Sequence, residues 1–390
     1  MVKNILSNAN KSTMNQYILA HVSNTDWQVA TQQCLAQIKT QLKETAAPAK
    51  ATLAFIYVTD AYAESFKKIV SELETHYPLI DWVGTIGLSI SVTNIEYAEQ
   101  PAIAILLTDI DSADYSIFKE QATVATNQQK SDVQFAIVHG DPRNPMLTEQ
   151  LETLAETLEP SYLVGGLTSA SNYYYQYAGN STNDGGITEG GLSGVIFKNS
   201  NNVMTGLTQG CSPISEVFTL TECDHHMALS IDNRPALQVF KENIGEILAR
   251  DINRAAGYIF AGFPVVGSDT GDYLVRNIVG IDPENNYLAI ADDLNPGSPI
   301  MFCKRDSQTA IEDLKRMLSS LKDRLGDRKP KGALYISCLG RGQHMFGDVS
   351  SEVKHITEIL GDIPVIGFSA NGEIAGQRLY GFTGVLTLFL

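Results

Sequence analysis

The densest group of reactive side chains lies in the stretch CLGRGQHMFG, residues 338–347. It combines a thiol, a guanidinium and an imidazole with three glycines, directly after an apolar run. Glycine has no Cβ, so the backbone here can turn tightly and approach a ligand closely. Arg341 can offer a fork of N–H donors to a carboxylate or a phosphate. The stretch therefore predicts a ligand-binding loop at the end of a strand.

A carboxylate in the later stretch SANGEI gives Arg341 two alternative roles. In the first hypothesis, Glu373 and Arg341 belong to one ligand site, whose residues are Cys338, Gly340, Arg341, Gly342, Asn371, Gly372 and Glu373. In the second, the glycines serve only the turn, and Arg341 forms a structural ion pair with Glu373. Both hypotheses place Arg341 and Glu373 close together.

Cys338 is also a candidate nucleophile. A cationic neighbour lowers the pKa of a thiol, and His344 can act as a base. However, Cys338 ends an apolar strand, where a cysteine usually acts as a small buried hydrophobe. His344 lies in a glycine-rich loop that gives it no fixed orientation. A thiol-dependent enzyme is therefore the weaker alternative, and the prediction is a binding protein rather than an enzyme.

The elements that must position these residues form an internal repeat. Each copy reads strand, helix, strand, glycine turn and strand, and the first strands are AFIYVTD (54–60), FAIVHGDPR (135–143) and ALYISCLGRG (333–342). A glycine, Gly84, Gly165 or Gly367, follows each first strand at a similar distance. This alignment places His139 in register with Cys338. Three similar units indicate duplication.

Further strands and amphipathic helices fill the gaps between the repeats. Apolar residues at helical spacing predict a long helix from about Gln308 to Leu325. Because helices are interspersed with many neighbouring strands, we expect an α/β fold of two domains, with mixed β-sheets layered with helices.

Composition limits the classes of partner. The 390 residues carry a net charge of -16, which repels nucleic acid and anionic membranes. The sequence shows neither a signal-peptide pattern nor an apolar run near the roughly 20 residues of a membrane span. Five scattered cysteines without a Cys-x-x-Cys pair argue against a disulfide framework or a structural zinc site. We therefore expect a cytoplasmic protein.

An ordered set of motifs resembles the FIST family. The second half is similar to the FIST C domain in LSIDNRPALQVFKENIG, YLVRNIVGID, SCLGRG and IPVIGFSANGEIAG. The first half is similar to the FIST N domain in YLVGGLTSAS, GGLSGVIF and TGLTQGCSPIS. The expected organisation is a flexible N-terminus (1–15), a FIST N-like domain (16–228) and a FIST C-like domain (229–390).

The resemblance implies a sensory ligand-binding protein of a signal-transduction pathway. Its ligand would be a small molecule or a gas, and its partner a signalling protein such as a histidine kinase or a cyclic-dinucleotide enzyme. Some stand-alone bacterial members are haem-binding nitric oxide sensors, so haem b is the alternative ligand. Its candidate contacts are His139, His344, His226 and Tyr175, with His139 or His344 as the iron ligand.

Overall fold

The structure is a computed structural model that describes residues 17–44, 51–119, 133–158, 162–181, 183–198, 203–245, 257–265 and 272–390. A 3-10 helix spans Asp60–Ser65. The α-helices are α1 (Trp27–Glu44), α2 (Phe66–His76), α3 (Leu147–Thr157), α4 (Ala236–Asn243), α5 (Ser307–Leu325), α6 (Gly342–Phe346) and α7 (Ser351–Leu360). Within these described residues, no helix has the length and apolar character needed to span a bilayer.

The strands alternate with these helices, which confirms the predicted mixed α/β fold. Those of the first half are β1 (Ile18–Ser23), β2 (Leu53–Thr59), β3 (Asp81–Gly87), β4 (Ser89–Val92), β5 (Ile95–Ala98), β6 (Ala102–Thr108), β7 (Tyr115–Lys119), β8 (Val133–Gly140), β9 (Tyr162–Leu167), β10 (Gln176–Asn180), β11 (Asn183–Thr188), β12 (Leu192–Lys198) and β13 (Val203–Gln209). The remainder are β14 (Cys211–Pro213), β15 (Phe218–Asp224), β16 (Met227–Ile231), β17 (Arg234–Pro235), β18 (Ile259–Pro264), β19 (Tyr273–Asp282), β20 (Tyr287–Ile290), β21 (Pro299–Arg305), β22 (Gly332–Cys338), β23 (Val365–Ala370), β24 (Glu373–Ala375), β25 (Arg378–Tyr380) and β26 (Thr383–Phe389).

The three repeats each form the centre of a six-stranded sheet. The strand orders are β1-β6-β2-β3-β10-β11, β7-β12-β8-β9-β24-β25 and β13-β26-β22-β23-β4-β5. Two parallel strands joined through a helix lie in the middle of each sheet, and the repeat's last strand pairs antiparallel beside them. The sequence repeat is thus also a structural repeat.

The repeats exchange β-hairpins. Hairpin β4–β5 follows β3 of the first sheet but pairs with β23 of the third. Hairpin β10–β11 leaves the second sheet for the first, and β24–β25 leaves the third for the second. The expected domain boundary after residue 228 falls inside β16, and strands pair across it in two of these sheets.

The remaining strands form a separate sheet in the order β14-β21-β15-β16-β20-β19-β18, with β17 beside β16. An additional pairing between β18 and β21 closes most of this sheet into a ring. Apolar residues of helix α4, including Leu237 and Phe240, pack into its core.

Aromatic rings from the three repeat sheets meet in the largest core. Tyr57 of β2 lies 5.6 Å from His139 of β8 and 4.9 Å from Phe368 of β23, measured between ring centroids. All three side chains are fully buried. Burial of such large rings contributes much of the hydrophobic stabilisation, so the three sheets depend on one another.

Equivalent glycines fix the register of the parallel strands. Gly84 pairs with Ile56, Gly165 with Val138, and Gly367 with Tyr335. The expected alignment of the second repeat with the third was wrong by two residues. The residues that pair with the equivalent glycines are Val138 and Tyr335, so these two positions correspond. Therefore His139 corresponds to Ile336, not to Cys338.

We expect Gly84→Ala to destabilise the protein by about 3 kcal/mol or more. A Cβ at this position would lie 1.8 Å from the carbonyl oxygen of Ile56, so the paired strands would have to separate. Urea unfolding measures the effect. Gly381→Ala is the control, because its Cβ would meet nothing nearer than 3.5 Å. Equal losses in the two variants would contradict the prediction.

Candidate functional site

A cleft of about 250 Å³ lies beyond the carboxyl ends of the parallel strands β22 and β23. This is the edge of an α/β sheet where ligands commonly bind. Hairpin β4–β5 forms one wall, and the end of β22 with helices α6 and α7 forms the other. The lining residues are Leu88, Ser89, Ser91, Glu96, Ala98, Glu99, Ser337, Cys338, Leu339, Arg341, Gly342, Gln343, Val349, Glu352, Val353 and Ser369.

Three residues with positive φ, Gly342, Gly347 and Ser350, shape the loop between β22 and α7. Gly342 begins helix α6 with a φ of 54°, a conformation that glycine adopts without steric cost. Ser350 precedes α7 with a φ of 69°, which is uncommon for a residue with a Cβ. Its hydroxyl accepts a hydrogen bond of 2.8 Å from the backbone N–H of Glu96. This contact joins the two walls of the cleft.

Arg341 is fully buried and its partner is Glu352 of α7. Its Nε donates to Oε1 of Glu352 over 2.7 Å, and its Nη2 lies 2.6 Å from the same oxygen. Tyr335 and Ser337 donate hydrogen bonds of 2.5 Å and 2.9 Å to the same carboxylate. The alternative hypothesis of a structural ion pair with Glu373 is therefore wrong, because α7 brings a nearer carboxylate to the guanidinium.

Glu373 is fully buried beside this group. Its Oε2 accepts hydrogen bonds from the backbone N–H and hydroxyl of Thr383, at 3.1 Å and 2.7 Å. Its Oε1 has no hydrogen-bond partner among the described residues. Burial raises the pKa of Glu373 to about 8, although hydrogen bonds from Thr383 and the charge of Arg341 oppose this shift. The two residues are thus close enough to interact electrostatically, as expected, without pairing directly.

Cys338 lines the cleft, but its surroundings disfavour the thiolate. Burial raises the pKa of the thiol well above its usual range, and the charge of Glu373 raises it further. The positive charge of Arg341 opposes this shift only weakly, as the smallest of the contributions. A nucleophilic cysteine needs the opposite shift. The environment of Cys338 therefore gives no support to a thiol-dependent enzyme.

The other predicted ligand-binding residues divide into two groups. Gly342 lines the cleft with Cys338 and Arg341. Gly340, Asn371 and Gly372 do not line it. The carbonyl of Gly340 accepts a hydrogen bond from Arg305, and the backbones of Asn371 and Gly372 bond to Leu167 of β9. These three residues hold turns in place.

Hairpin β4–β5 provides a wall of the cleft that the sequence did not predict. Ser89 donates a hydrogen bond of 2.8 Å to Oε1 of Glu96, and its hydroxyl lies 3.0 Å from that of Ser369. Burial raises the pKa of Glu96, and the negative charge of Glu352 adds to that shift. The alternation Ser-Ile-Ser-Val in β4, with Ser89 and Ser91 buried, is the signal that could have identified a polar wall.

His139 does not have the surroundings of a haem ligand. Its ring is fully buried between Tyr57 and Phe368, and its Nε2 lies 3.0 Å from the hydroxyl of Tyr57. Burial lowers the pKa of the imidazole to about 3. Its Nδ1 has no hydrogen-bond partner among the described residues, but packed rings occupy the space beside it that a macrocycle would need.

The other predicted haem contacts lie on separate elements. His226 is exposed in the turn between β15 and β16, and Tyr175 stacks on Tyr173 before β10, with ring centroids 5.3 Å apart. The side chain of His344 is outside the described residues, although its backbone lies in α6. Among the residues that the structure describes, no group of three or more His, Cys, Asp or Glu could hold a metal ion. The structure therefore does not bring His139, His226 and Tyr175 together around one site.

We expect Arg341→Met to lower the free energy of unfolding by about 3–5 kcal/mol, because it leaves the buried carboxylate of Glu352 uncompensated. The double variant Arg341→Met/Glu352→Gln should lose less than the sum of the two single variants. Urea unfolding of the four proteins measures this coupling. Additive losses would contradict direct pairing, and the same cycle with Glu373→Gln should give a smaller coupling.

We expect the buried carboxyl of Glu373 to make stability depend on pH. Its pKa is raised from 4.5 to about 8, so the folded state holds a proton that the unfolded state releases between these values. This contribution to stability is present at low pH and is lost as pH rises towards 8. Between pH 5 and pH 8, the free energy of unfolding of Glu373→Gln should therefore rise relative to that of wild type, by about a few kcal/mol. Urea unfolding at pH 5 and pH 8 measures this difference, with the exposed Glu152→Gln as control. If the free energies of unfolding of wild type and Glu373→Gln change in parallel with pH, the prediction is contradicted.

Comparison with known proteins identifies the family. The FIST N domain model matches residues 52–234, and the FIST C domain model matches residues 236–376. An uncharacterized protein of Mycobacterium tuberculosis is 31% identical over 218 residues, which is 53% of this chain and 56% of that protein. One of Mycobacterium bovis is 32% identical over 216 residues, 53% of this chain and 55% of its own length. The chain thus spans about half the length of these relatives. Since the two domain models together cover most of its residues, the chain belongs to the FIST family.

Proposed function

We propose that this chain is a cytoplasmic sensory protein that binds a small ligand in the cleft and passes the bound state to a signalling partner. FIST domains are ligand-binding sensory domains of signal-transduction proteins. A histidine kinase or a cyclic-dinucleotide enzyme is the expected kind of partner. The net charge of -16 makes nucleic acid an unfavourable one.

The observation that carries this proposal is that two distant parts of the chain build the cleft. Glu96 comes from hairpin β4–β5 of the first repeat, whereas Arg341 and Glu352 come from the third. Each wall already holds its polar groups in place through hydrogen bonds. A site with preorganised groups binds a ligand at a lower entropic cost.

A ligand in this position would act by population shift. Strand β4 of the hairpin pairs with β23, and contacts that include Ser350 with Glu96 and Ser89 with Ser369 link the hairpin to the opposite wall and to β23. A ligand that touches both walls binds the closed arrangement better than one in which α7 has moved away from the hairpin. It would therefore increase the closed population, and a partner that contacts the hairpin or α7 would detect that change.

We expect a cleft-binding compound to raise the melting temperature of the protein, since a ligand that binds only the folded state stabilises it. The measurement is a thermal-shift screen with a panel of amines, carboxylates, sugars and nucleotides. In Val349→Trp, an indole at the mouth of the cleft should abolish the shift. Val279→Trp is the matched control, because Val279 is an exposed valine on β19 away from the cleft.

The two variants decide the outcome. A compound that stabilises wild type and Val279→Trp, but not Val349→Trp, supports binding in the cleft. Stabilisation that Val349→Trp leaves unchanged, or no stabilisation by any compound, would contradict it.

A further inference from the structure

We propose that the turn at Phe382 is a conformational latch that couples the closed sheet, which is the sheet that β18 and β21 close, to the cleft loop, residues 339–341. This inference goes beyond the proposed function, because the latch acts on the cleft loop whether or not a ligand is bound. Three observations support it: a strained backbone at Phe382, contacts of its side chain with the closed sheet, and contacts of the same residue with the cleft loop.

Phe382 has a backbone conformation that its side chain disfavours. It lies in the turn between β25 and β26 with a φ of 61°, in the left-handed region. Bulky residues rarely adopt this region, because the Cβ comes too close to the following carbonyl oxygen. Residues strained in this way persist only where surrounding contacts hold them, and they recur in switch regions. Contacts from elsewhere must therefore hold this turn, and it can relax when they are lost.

The closed sheet provides such contacts. The ring of Phe382 lies 4.4 Å from that of Phe260 on β18, measured between centroids and tilted by 52°. The guanidinium carbon of Arg305 on β21 lies 5.8 Å from the centroid of the Phe382 ring. Aromatic pairs and cation–ring pairs at these distances attract each other. Two strands of the closed sheet thus hold the strained turn in place.

Phe382 also contacts the cleft loop. A Cβ at Gly340 would lie 2.8 Å from two ring atoms of Phe382, so the ring packs directly against this glycine. The backbone carbonyl of Phe382 accepts a hydrogen bond of 3.4 Å from Nη1 of Arg341. Arg305 donates a hydrogen bond of 2.5 Å to the carbonyl of Gly340. Because Cys338 and Arg341 line the cleft on either side of Gly340 in the sequence, movement of the turn changes the cleft.

The latch has two arrangements. In the observed one, the closed sheet holds the strained turn, and the turn holds the cleft loop. In the other, the φ of Phe382 becomes negative, its carbonyl rotates away from Arg341, and Gly340 loses its contact with the ring. A partner that displaces β18 or β21 favours the second arrangement. Since packed interiors do not deform continuously, the loop moves between discrete positions.

The test measures how readily the thiol of Cys338 becomes accessible in the folded protein. Iodoacetamide alkylates thiols under native conditions, and tryptic peptide mapping by mass spectrometry gives the rate for each cysteine separately. Cys34, which is fully buried in α1, reports global unfolding in the same sample. A faster rate at Cys338 without a faster rate at Cys34 measures local opening of the cleft loop.

Phe260→Leu removes the ring contact between the closed sheet and Phe382. It should raise the alkylation rate of Cys338 by roughly tenfold, although Phe260 is not among the lining residues of the cleft. Phe302→Leu is the matched control. Phe302 is similarly buried in the same sheet, but its ring contacts Phe218 and Phe240, so this variant should leave the rate at Cys338 unchanged.

Arg305→Met tests the second contact and keeps the test available if Phe260→Leu does not fold, because Arg305 is only half-buried. Loss of its hydrogen bond to the carbonyl of Gly340 should raise the alkylation rate of Cys338 several-fold. Arg276→Met is the control, since it breaks an ion pair with Asp292 in the same sheet and should leave that rate unchanged.

Two replacements of Phe382 separate the strain from the ring contact. Phe382→Ala and Phe382→Asn both remove the ring, but asparagine adopts the left-handed region more readily than alanine does. The alkylation rate of Cys338 should therefore be several-fold higher in Phe382→Ala than in Phe382→Asn.

The comparison of variants decides the outcome. Faster alkylation of Cys338, but not of Cys34, in Phe260→Leu and Arg305→Met supports the latch. Equal rates at Cys338 in each variant and its control, or parallel increases at Cys338 and Cys34, would overturn it. Equal rates in Phe382→Ala and Phe382→Asn would overturn the role of backbone strain. None of these measurements uses a ligand, so failure of the latch leaves the proposed sensory function standing.

Discussion

The buried guanidinium of Arg341 is the constraint on which the site depends. A charge in the interior is strongly unfavourable unless a partner compensates it and hydrogen bonds satisfy that partner. Glu352 compensates the charge of Arg341, and Tyr335 and Ser337 donate further hydrogen bonds to the carboxylate oxygens of Glu352. Helix α7 must therefore pack against β22 in one orientation, because any rotation would expose the carboxylate or separate it from the guanidinium. The same orientation places α7 as a wall of the cleft.

The exchange of hairpins completes that wall from elsewhere in the chain. Hairpin β4–β5 leaves the first repeat and pairs with β23, so Glu96 reaches a site whose opposite wall begins at Ser337, more than 240 positions later. Hydrogen bonds between Ser89 and Ser369, and between Thr93 and Val365, hold it there. Such long-range pairing makes folding of the first and third repeats interdependent, since neither completes its sheet alone. A ligand in the cleft would contact both of these repeats.

Local chemistry explains which features the sequence could predict. The apolar residues of α5 recur at helical spacing within one continuous segment. Asp306 caps the helix by accepting a hydrogen bond from the N–H of Thr309. The predicted helix was therefore confirmed to within one residue. The repeats were visible because each needs a glycine where two strands approach closely. The partner of Arg341 was not visible. Choosing Glu352 over Glu373 requires the packing of α7, which no local pattern specifies, and Glu96 belongs to an exchanged hairpin.

The polar groups at this edge of the sheet differ among the three repeats. In the second repeat, Asp141 is the counterpart of Cys338, and the guanidinium of Arg143 donates two hydrogen bonds to it, of 3.0 Å and 2.7 Å. In the first, Asp60 lies at the corresponding strand end and accepts hydrogen bonds from Ser171. Both strand ends use their polar groups within the protein. In the third, the guanidinium of Arg341 is buried beneath the loop, and the cleft lies beside it. Duplication thus supplied three similar edges, and the burial of one arginine distinguishes the third.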